Sequence, residues 1–403
     1  MCSVGDDFET EGEKHMPQFK NLTLSSLKCN KCREEIPVVL LRHKDAYCRT
    51  CFLAGTNHKF KGLLGKSKLI RPKDRVLVSY STGHQGTALL HLLKSGIDLS
   101  TPKKLRFEPV FVFVEDQYHL NVKEREEMVT KVIKEASSYH FTMHLVSFAD
   151  SIKCNDINIF ENCIPLNEND NERIGLHIEK STSLTNRKEL LNIMKRNVLI
   201  SAARKLKCNF IFTTELLPDI ASNLLTNVAL GRGSLISVES GFCDDRDENI
   251  KILRPLRCFD LKELAFYNVI HGIEPVSIRQ PLEDNFTSIQ SLMGQFINNL
   301  QESFSATITT VVKTGDKLAT DDKRISGKCK VCQGSILTKT DDLKSEESTK
   351  FSRLVSNEVP DHSLSRKEKY NKIINRFTHS TQKPIEYCYA CSKLSDYLLN
   401  DLS

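Results

Sequence analysis

Residues 75–96 read RVLVSYSTGHQGTALLHLLKSG. An apolar run of six residues (Arg75–Tyr80) passes through a turn of small residues, Ser81-Thr82-Gly83-His84-Gln85-Gly86-Thr87, into a stretch with helical spacing. A strand, a tight turn and a helix in this order aim backbone N–H groups and the positive end of the helix dipole at one point, where a phosphate can sit. Many Rossmann-like proteins carry such a turn, so its surroundings decide the reading.

Downstream, further apolar runs follow: PVFVFVED (109–116), FTMHLVSF (141–148), NFIFTT (209–214) and LISV (235–238). Between them lie helical patterns, one through Val122, Met128, Val129, Val132, Ile133 and Ala136, another through Leu190, Leu191, Met194, Val198, Ala202 and Leu206. Near-continuous β-branched and aromatic strands separated by amphipathic helices predict a parallel sheet covered on both faces. Right-handed crossovers then make it a doubly wound, Rossmann-like α/β layer structure, with ligands at the carboxyl ends of the strands. The Asn/Asp/Glu-rich stretch 151–185 reads as a long surface loop. Residues 260–272 and 285–300 read as helices, the first with Asp260 at its N-cap and Gly272 as its terminator.

The ends of the chain differ from this middle. Residues 1–26 are polar and read as disordered, and the opening segment is acidic without an apolar core, unlike a signal or transit peptide. Beyond about Lys313 the chain turns polar, and 338–383 reads as a mobile insert rich in Ser, Thr, Lys, Asp and Glu. The sequence thus divides into a disordered start, an N-terminal module at 27–58, a basic linker at 59–74, the α/β domain at 75–312 and a C-terminal module at 313–403. No run approaches the roughly 18 apolar residues needed to cross a bilayer, which predicts a cytosolic or nuclear protein without a membrane partner. The net charge of +6 over 403 residues permits an anionic partner without demanding one.

Eight of the 14 cysteines fall into four Cys-x-x-Cys pairs. Cys29/Cys32 and Cys48/Cys51 are separated by 15 residues. Two thiolates with a two-residue gap reach one tetrahedral ion, so this set reads as a closed, structural zinc site over a small β-ribbon. So short a segment would hardly fold without such a staple. The competing reading is four buried thiols. Cys329/Cys332 and Cys388/Cys391 are 55 residues apart. They read as a second shared zinc site with the insert as an excursion loop, a redox pair, or two knuckles completed by another chain.

Seven cations, Lys59, Lys61, Lys66, Lys68, Arg71, Lys73 and Arg75, lie within 17 residues against one acid, Asp74. They predict contact with RNA phosphates, with Phe60 as a stacking surface, or else a solvated linker. Arg232, between Gly231 and Gly233, would hold a phosphate or merely follow a helix end. Arg254 and Arg257 read as ion-pair partners. His84 and His91 read as satisfied rather than catalytic.

The turn at 81–86 resembles the pyrophosphatase loop of tRNA thiolases, Ser-Gly-Gly-x-Asp-Ser. Ser81 and Gly83 match, whereas Thr82, Gln85 and Gly86 replace a glycine, the acid and the final serine. An amide at Gln85 carries no charge to hold Mg²⁺ against ATP. Met194-Lys195-Arg196 resembles the triplet of those enzymes that follows a cysteine pair, and the pair's positions fall on Lys188 and Leu191. Their Thr-Gly-His-Asn-x-Asp-Asp motif is reduced to Thr213-Thr214-Glu215-Leu216-Leu217-Pro218-Asp219, with only Thr213 and Asp219 matching. In order along the chain, these features together with residues 229–234, 253–257 and 262–264 resemble the cytoplasmic tRNA 2-thiolation protein 2 family.

The resemblance implies a degenerate pyrophosphatase-type α/β fold in a non-catalytic subunit that binds tRNA and a catalytic thiolase subunit. That complex would thiolate wobble uridine with sulfur from a thiocarboxylated ubiquitin-related modifier. ATP turnover by this chain is not expected. The alternatives are an active ATP-dependent thiolase and a zinc-stapled adaptor without RNA binding.

Overall fold

Leu77 and Ile211 face one side of a sheet and Val76, Val78 and Phe212 the other, and each set is buried in its own apolar core. A strand can be apolar on both faces only inside a layered structure, and the chain builds one. The computed structural model describes residues 28–337 except 43, 102–103, 154–156, 180, 182, 278–286 and 319–324; beyond 337 it describes 345–357, 387–392, 394 and five isolated positions. The expectation for 1–26 and most of that for 338–383 lie outside the described residues. Within the latter stretch, residues Ser345–Asn357 form a helix.

The central sheet uses β3 (Arg75–Tyr80), β4 (Glu108–Glu115), β5 (Met143–Ser147), β6 (Phe210–Phe212), β7 (Cys243–Asp244) and β8 (Lys251–Leu253) in the order β5-β4-β3-β6-β8-β7. All neighbours are parallel except the edge pair β7/β8. The order reverses between β3 and β6, which creates a crevice above their carboxyl ends. Helices α2 (His84–Ile97) and α3 (Val122–Ser138) cover one face of the sheet, and α5 (Leu184–Lys205) covers the other. Asn121 caps α3 in a reciprocal capping box with Glu124.

Several expectations are corrected. The run 235–238 is no strand: Leu235 ends a short 3-10 turn and Ile236–Ser240 forms one helical turn, α7, while β7 and β8 complete the sheet. A four-residue apolar run has no period long enough to distinguish the two states. The stretch 151–185 is not one loop, because it contains α4 (Glu168–Glu179), whose Ile174 and Ile178, four residues apart, are buried against the core beside α5. The helix expected at 285–300 is α9 (Ile289–Gly315), with a break at Phe304. It packs on α6 (Leu217–Ala229) around Ile220, Ile297, Ile308 and Val312. Helix α8 (Leu261–His271) ends at Gly272 in the left-handed region, as expected.

The boundary at 58/59 does not exist as a break. Cys48 is the N-cap of α1 (Arg49–Ser67), so one helix carries the second cysteine pair and the first half of the basic stretch. A hairpin of β1 (Val39–Leu41) and β2 (Asp45–Tyr47) precedes it. At the other end, β9 (Ile325–Lys328) and β10 (Ser335–Leu337) form a second ribbon, and Tyr389–Ser392 a short helical turn.

Candidate functional site

Above the switch between β3 and β6 lies a cavity of about 460 Å³. Its lining includes Ser79–Thr82 and Gln85 from the β3–α2 turn, Thr213–Glu215 after β6, and side chains of α5 and α6. Two glycines fix the path of the turn between β3 and α2. Gly83 has φ +97°, and a Cβ on Gly86 would run into the Ser81 carbonyl oxygen, so both positions need glycine.

The same turn is closed by internal bonds. The Gly83 N–H donates to the Val276 carbonyl (2.8 Å), and the Ser81 and Thr214 hydroxyls pair at 2.7 Å. The Asn268 amide donates to the His84 carbonyl at 3.0 Å. A donor aimed at a carbonyl is withdrawn from a phosphate. Lys188, where the resemblance places a cysteine in active thiolases, donates to Ser291 of α9 at 2.7 Å, and Leu191 packs against the core beneath α5.

The cavity floor is a network of arginines and acids. Arg254 pairs with Glu215 (2.8 Å), and Arg246 with Glu239 (2.9 Å) and Asp244 (2.6 Å). Arg196 lies 3.6 Å from Asp244, and Arg232 pairs with Glu189. Burial pushes the Asp244 carboxyl up, but the hydrogen bonds and charge of Arg246 and the charge of Arg196 outweigh it and hold it at about 2. Counting the charged lining residues gives five cations (Lys195, Arg196, Arg232, Arg246, Arg254) and five acids (Asp116, Glu189, Glu215, Glu239, Asp244). This balance leaves the cavity without the positive excess that a polyphosphate requires. The ion-pair role expected for Arg254 and Arg257 is observed, the latter bonding Asp316 at 2.7 Å. The network through Glu189, Glu239, Asp244 and Arg246 was not anticipated, because CDDRDEN (243–249) reads locally as a solvated charge run.

Arg232 is buried among these groups, while Gly231, at φ +72°, follows the last turn of α6. Of the two readings open for this segment, phosphate or helix end, the geometry favours the second: Gly231 serves the helix end, and the Arg232 guanidinium is engaged inside the fold. The basic stretch also divides. Lys59 pairs with Glu263 of α8 at 2.7 Å and lies over the Phe259 ring, Lys61 is likewise engaged by a neighbouring group, and Phe60 is fully buried, which removes it as a stacking surface. Lys66, Lys68, Arg71 and Lys73 are exposed, with Arg75 half-buried at the start of β3. They sit at the amino end of the strand, opposite the cavity, with the six residues of β3 (roughly 20 Å at the usual strand rise) between. His91 is satisfied, its Nδ1 bonded to the Tyr267 hydroxyl at 2.8 Å.

Both cysteine sets converge. In each, four sulfur atoms lie within 4.8 Å of one another. Four thiolates around a zinc ion at about 2.3 Å are about 3.8 Å apart, and the Sγ–Sγ distances are 3.9 Å for Cys32–Cys48 and 3.7 Å for Cys332–Cys388. Both sets therefore have the geometry to hold a tetrahedral metal ion, and the open alternatives for the second resolve towards one shared centre. Burial pushes the Cys29 thiol up, but backbone N–H groups of Cys32, Cys48 and Lys31 outweigh it and bring it to about 6, towards the thiolate a metal needs.

Residues 288–393 match the family model described as cytoplasmic tRNA 2-thiolation protein 2. A protein of that name from Aedes aegypti is 31% identical over 332 residues, 80% of this chain and 74% of the relative. The chain belongs to the cytoplasmic tRNA 2-thiolation protein 2 family. The Anopheles gambiae protein of the same name is 29% identical, covering 89% of this chain and 87% of the relative; the Xenopus laevis 2-A protein is 25% identical, covering 87% and 81%. Among solved structures, the U34-tRNA thiolase NcsA from Methanococcus maripaludis, described with its [4Fe-4S] cluster, superposes with a TM-score of 0.55 at 17% identity, covering 84% of this chain and 98% of that one. The fold is thus that of a tRNA thiolase, as expected. The relatives' names place them in the cytoplasm, and among the described residues no helix is long and apolar enough to cross a membrane.

Proposed function

We propose that this chain serves tRNA 2-thiolation as a non-catalytic subunit that binds tRNA and a catalytic thiolase. The role in tRNA 2-thiolation follows from family membership; the division of labour is argued from the site. The observation that carries it is the state of the phosphate loop. Its Gly83 N–H is spent on Val276, its acidic position is the amide of Gln85, and the cavity behind it is charge-neutral. Adenylation of a base carbonyl needs Mg²⁺ and three phosphates held together, and this lining offers them neither a free carboxylate at position 85 nor a net positive field. Lys188 and Leu191 supply no thiol for sulfur carriage or an iron–sulfur cluster.

In this reading, a catalytic partner supplies ATP chemistry, and sulfur arrives as the thiocarboxylate of a ubiquitin-related modifier. The two four-cysteine centres hold zinc and serve structure. Lys66, Lys68, Arg71, Lys73 and Arg75 contact the tRNA backbone from the amino edge of the sheet, a location that leaves the crevice face to protein partners. The test is pyrophosphate release by the purified chain with ATP, Mg²⁺ and tRNA. No release above background is expected, and release restored by adding the catalytic subunit; robust turnover by the chain alone would return the active-thiolase reading. Absence of salt-dependent tRNA binding would favour the zinc-stapled adaptor instead.

A further inference from the structure

The C-terminal four-cysteine centre does not stand apart from the α/β domain. Among the described residues, its buried interior holds Cys329, Cys332, Cys391 and Ile336 together with Leu235 of the turn after α6. The approach is so close that a Cβ on Gly334 would collide with the Leu235 side chain. Val331 and Cys332 are at the same time part of the cavity lining. The metal knuckle is one wall of the cavity.

Three of the arginines on the cavity floor, Arg232 buried and Arg196 and Arg246 half-buried, reach into that knuckle. Arg246 donates to the Cys332 carbonyl (3.2 Å), Arg196 to the Gln333 side-chain carbonyl (3.2 Å), and Arg232 to the Cys391 sulfur (3.9 Å). In return, Lys328 donates to the Arg246 carbonyl at 3.0 Å. Two of the three acceptors thus belong to metal-binding residues themselves.

We infer that Arg196, Arg232 and Arg246 bind the C-terminal metal centre into the cavity wall, so that the wall exists only while the metal is held. Two physical facts connect these contacts. A ribbon and a single helical turn bury too little apolar surface to stay folded without a staple, so loss of the metal releases the knuckle. Four thiolates around a divalent ion carry a net charge of −2, and buried guanidinium donors beside the sulfurs stabilise that charge. Arg232 is therefore a positioning residue for the metal centre. With the knuckle gone, the three arginines lose these acceptors and keep only their carboxylate partners, and the floor between α5 and β7 is exposed to water. The inference concerns this chain's own metal centre and does not rest on the tRNA reading.

The test uses the full chain with metal bound at both centres. An excess of a chromogenic zinc chelator follows metal release, and N-ethylmaleimide labelling with peptide mapping identifies which four cysteines become reactive. Hydrogen exchange is read in peptides covering 226–246 and 189–197. In Arg232→Gln, Cys329, Cys332, Cys388 and Cys391 should become labelled at least about tenfold faster than in the unmodified chain. Cys29, Cys32, Cys48 and Cys51 should be unaffected. In the unmodified chain, exchange in 226–246 should rise in step with labelling of the C-terminal set. Arg232→Lys, which keeps the charge, should recover part of the protection; this separates a positioning role from loss of folding. Unchanged release in Arg232→Gln, or a C-terminal centre stripped of metal with 226–246 still protected, would overturn the inference.

Discussion

Gly86 shows how one position can dictate the path of a turn. The Ser81 carbonyl lies against the first turn of α2, an approach that only a residue without a Cβ permits. Gly86→Ala should therefore destabilise the chain by about 1–3 kcal/mol, the usual cost of overpacking, seen as a lower midpoint in thermal unfolding. Asp244 gives a pH signature. Its carboxyl is held at about 2 against an ordinary 3.8, so its contribution is fully present above pH 4 and is lost as the pH falls towards 2. The shift corresponds to about 2 kcal/mol. Asp244→Asn should flatten the acid limb of urea-unfolding stability and, by removing the buried carboxylate that Arg246 and Arg196 share, destabilise the fold by about 3–5 kcal/mol at neutral pH. His91 behaves in the same sense. Burial, with the neighbouring His271, lowers it to about 4, so its stabilising effect is complete above the ordinary histidine range and declines as the pH drops through it. An NMR titration of the ring should find it neutral at pH 5.5.

At the level of elements, α1 carries two kinds of lysine on one helix and its continuation. Lys59 serves α8 through Glu263 and the Phe259 ring, whereas Lys66 and Lys68 project from the far end. Lys59→Ala should cost about 1–2 kcal/mol of stability and leave tRNA affinity unchanged in a filter-binding assay. The Lys66→Glu, Lys68→Glu pair should do the reverse, with an unfolding midpoint like that of the unmodified chain and weaker binding. Equal loss of binding in both variants would remove the amino edge of the sheet from the proposed RNA surface. The α5–α9 contact adds a second lesson. The Lys188–Ser291 bond ties α5 to α9 at a position where the resemblance would place a thiol, so here the side chain fixes α9.

For the molecule as a whole, the basic edge and the neutral crevice lie at opposite ends of the strands, so the proposed tRNA contact is set apart from the crevice. Four exposed cations (Lys66, Lys68, Arg71 and Lys73) meeting RNA phosphates predict a slope of log affinity against log salt of about −3. A slope near zero would mean that tRNA is held by the partner and not by this chain. The four-cysteine sets frame the domain at both ends. The N-terminal set opens α1, which packs on α8, and the C-terminal set closes the cavity.

Features that depend on neighbouring residues were legible before any coordinates. The strands at 75–80, 109–116, 141–148 and 209–214, the helices between them, the termination of α8 at Gly272 and both four-cysteine sets follow from periods of two and of three to four residues, or from ligand spacing. Such patterns are local, and physics reads them the same way in any fold. Features that depend on distant partners were not. Whether Lys59, Arg232 or Asp244 is a solvated charge or half of a buried pair depends on residues 204, 43 or 48 positions away, and a charge looks the same in either state. The apolar run at 235–238 is a helical turn whose leading Leu235 is buried against the C-terminal knuckle. Phe60 went into the core because α1 continues through what composition marked as a linker. Burial is set by which surfaces the topology brings together, and that information is distributed over the whole chain.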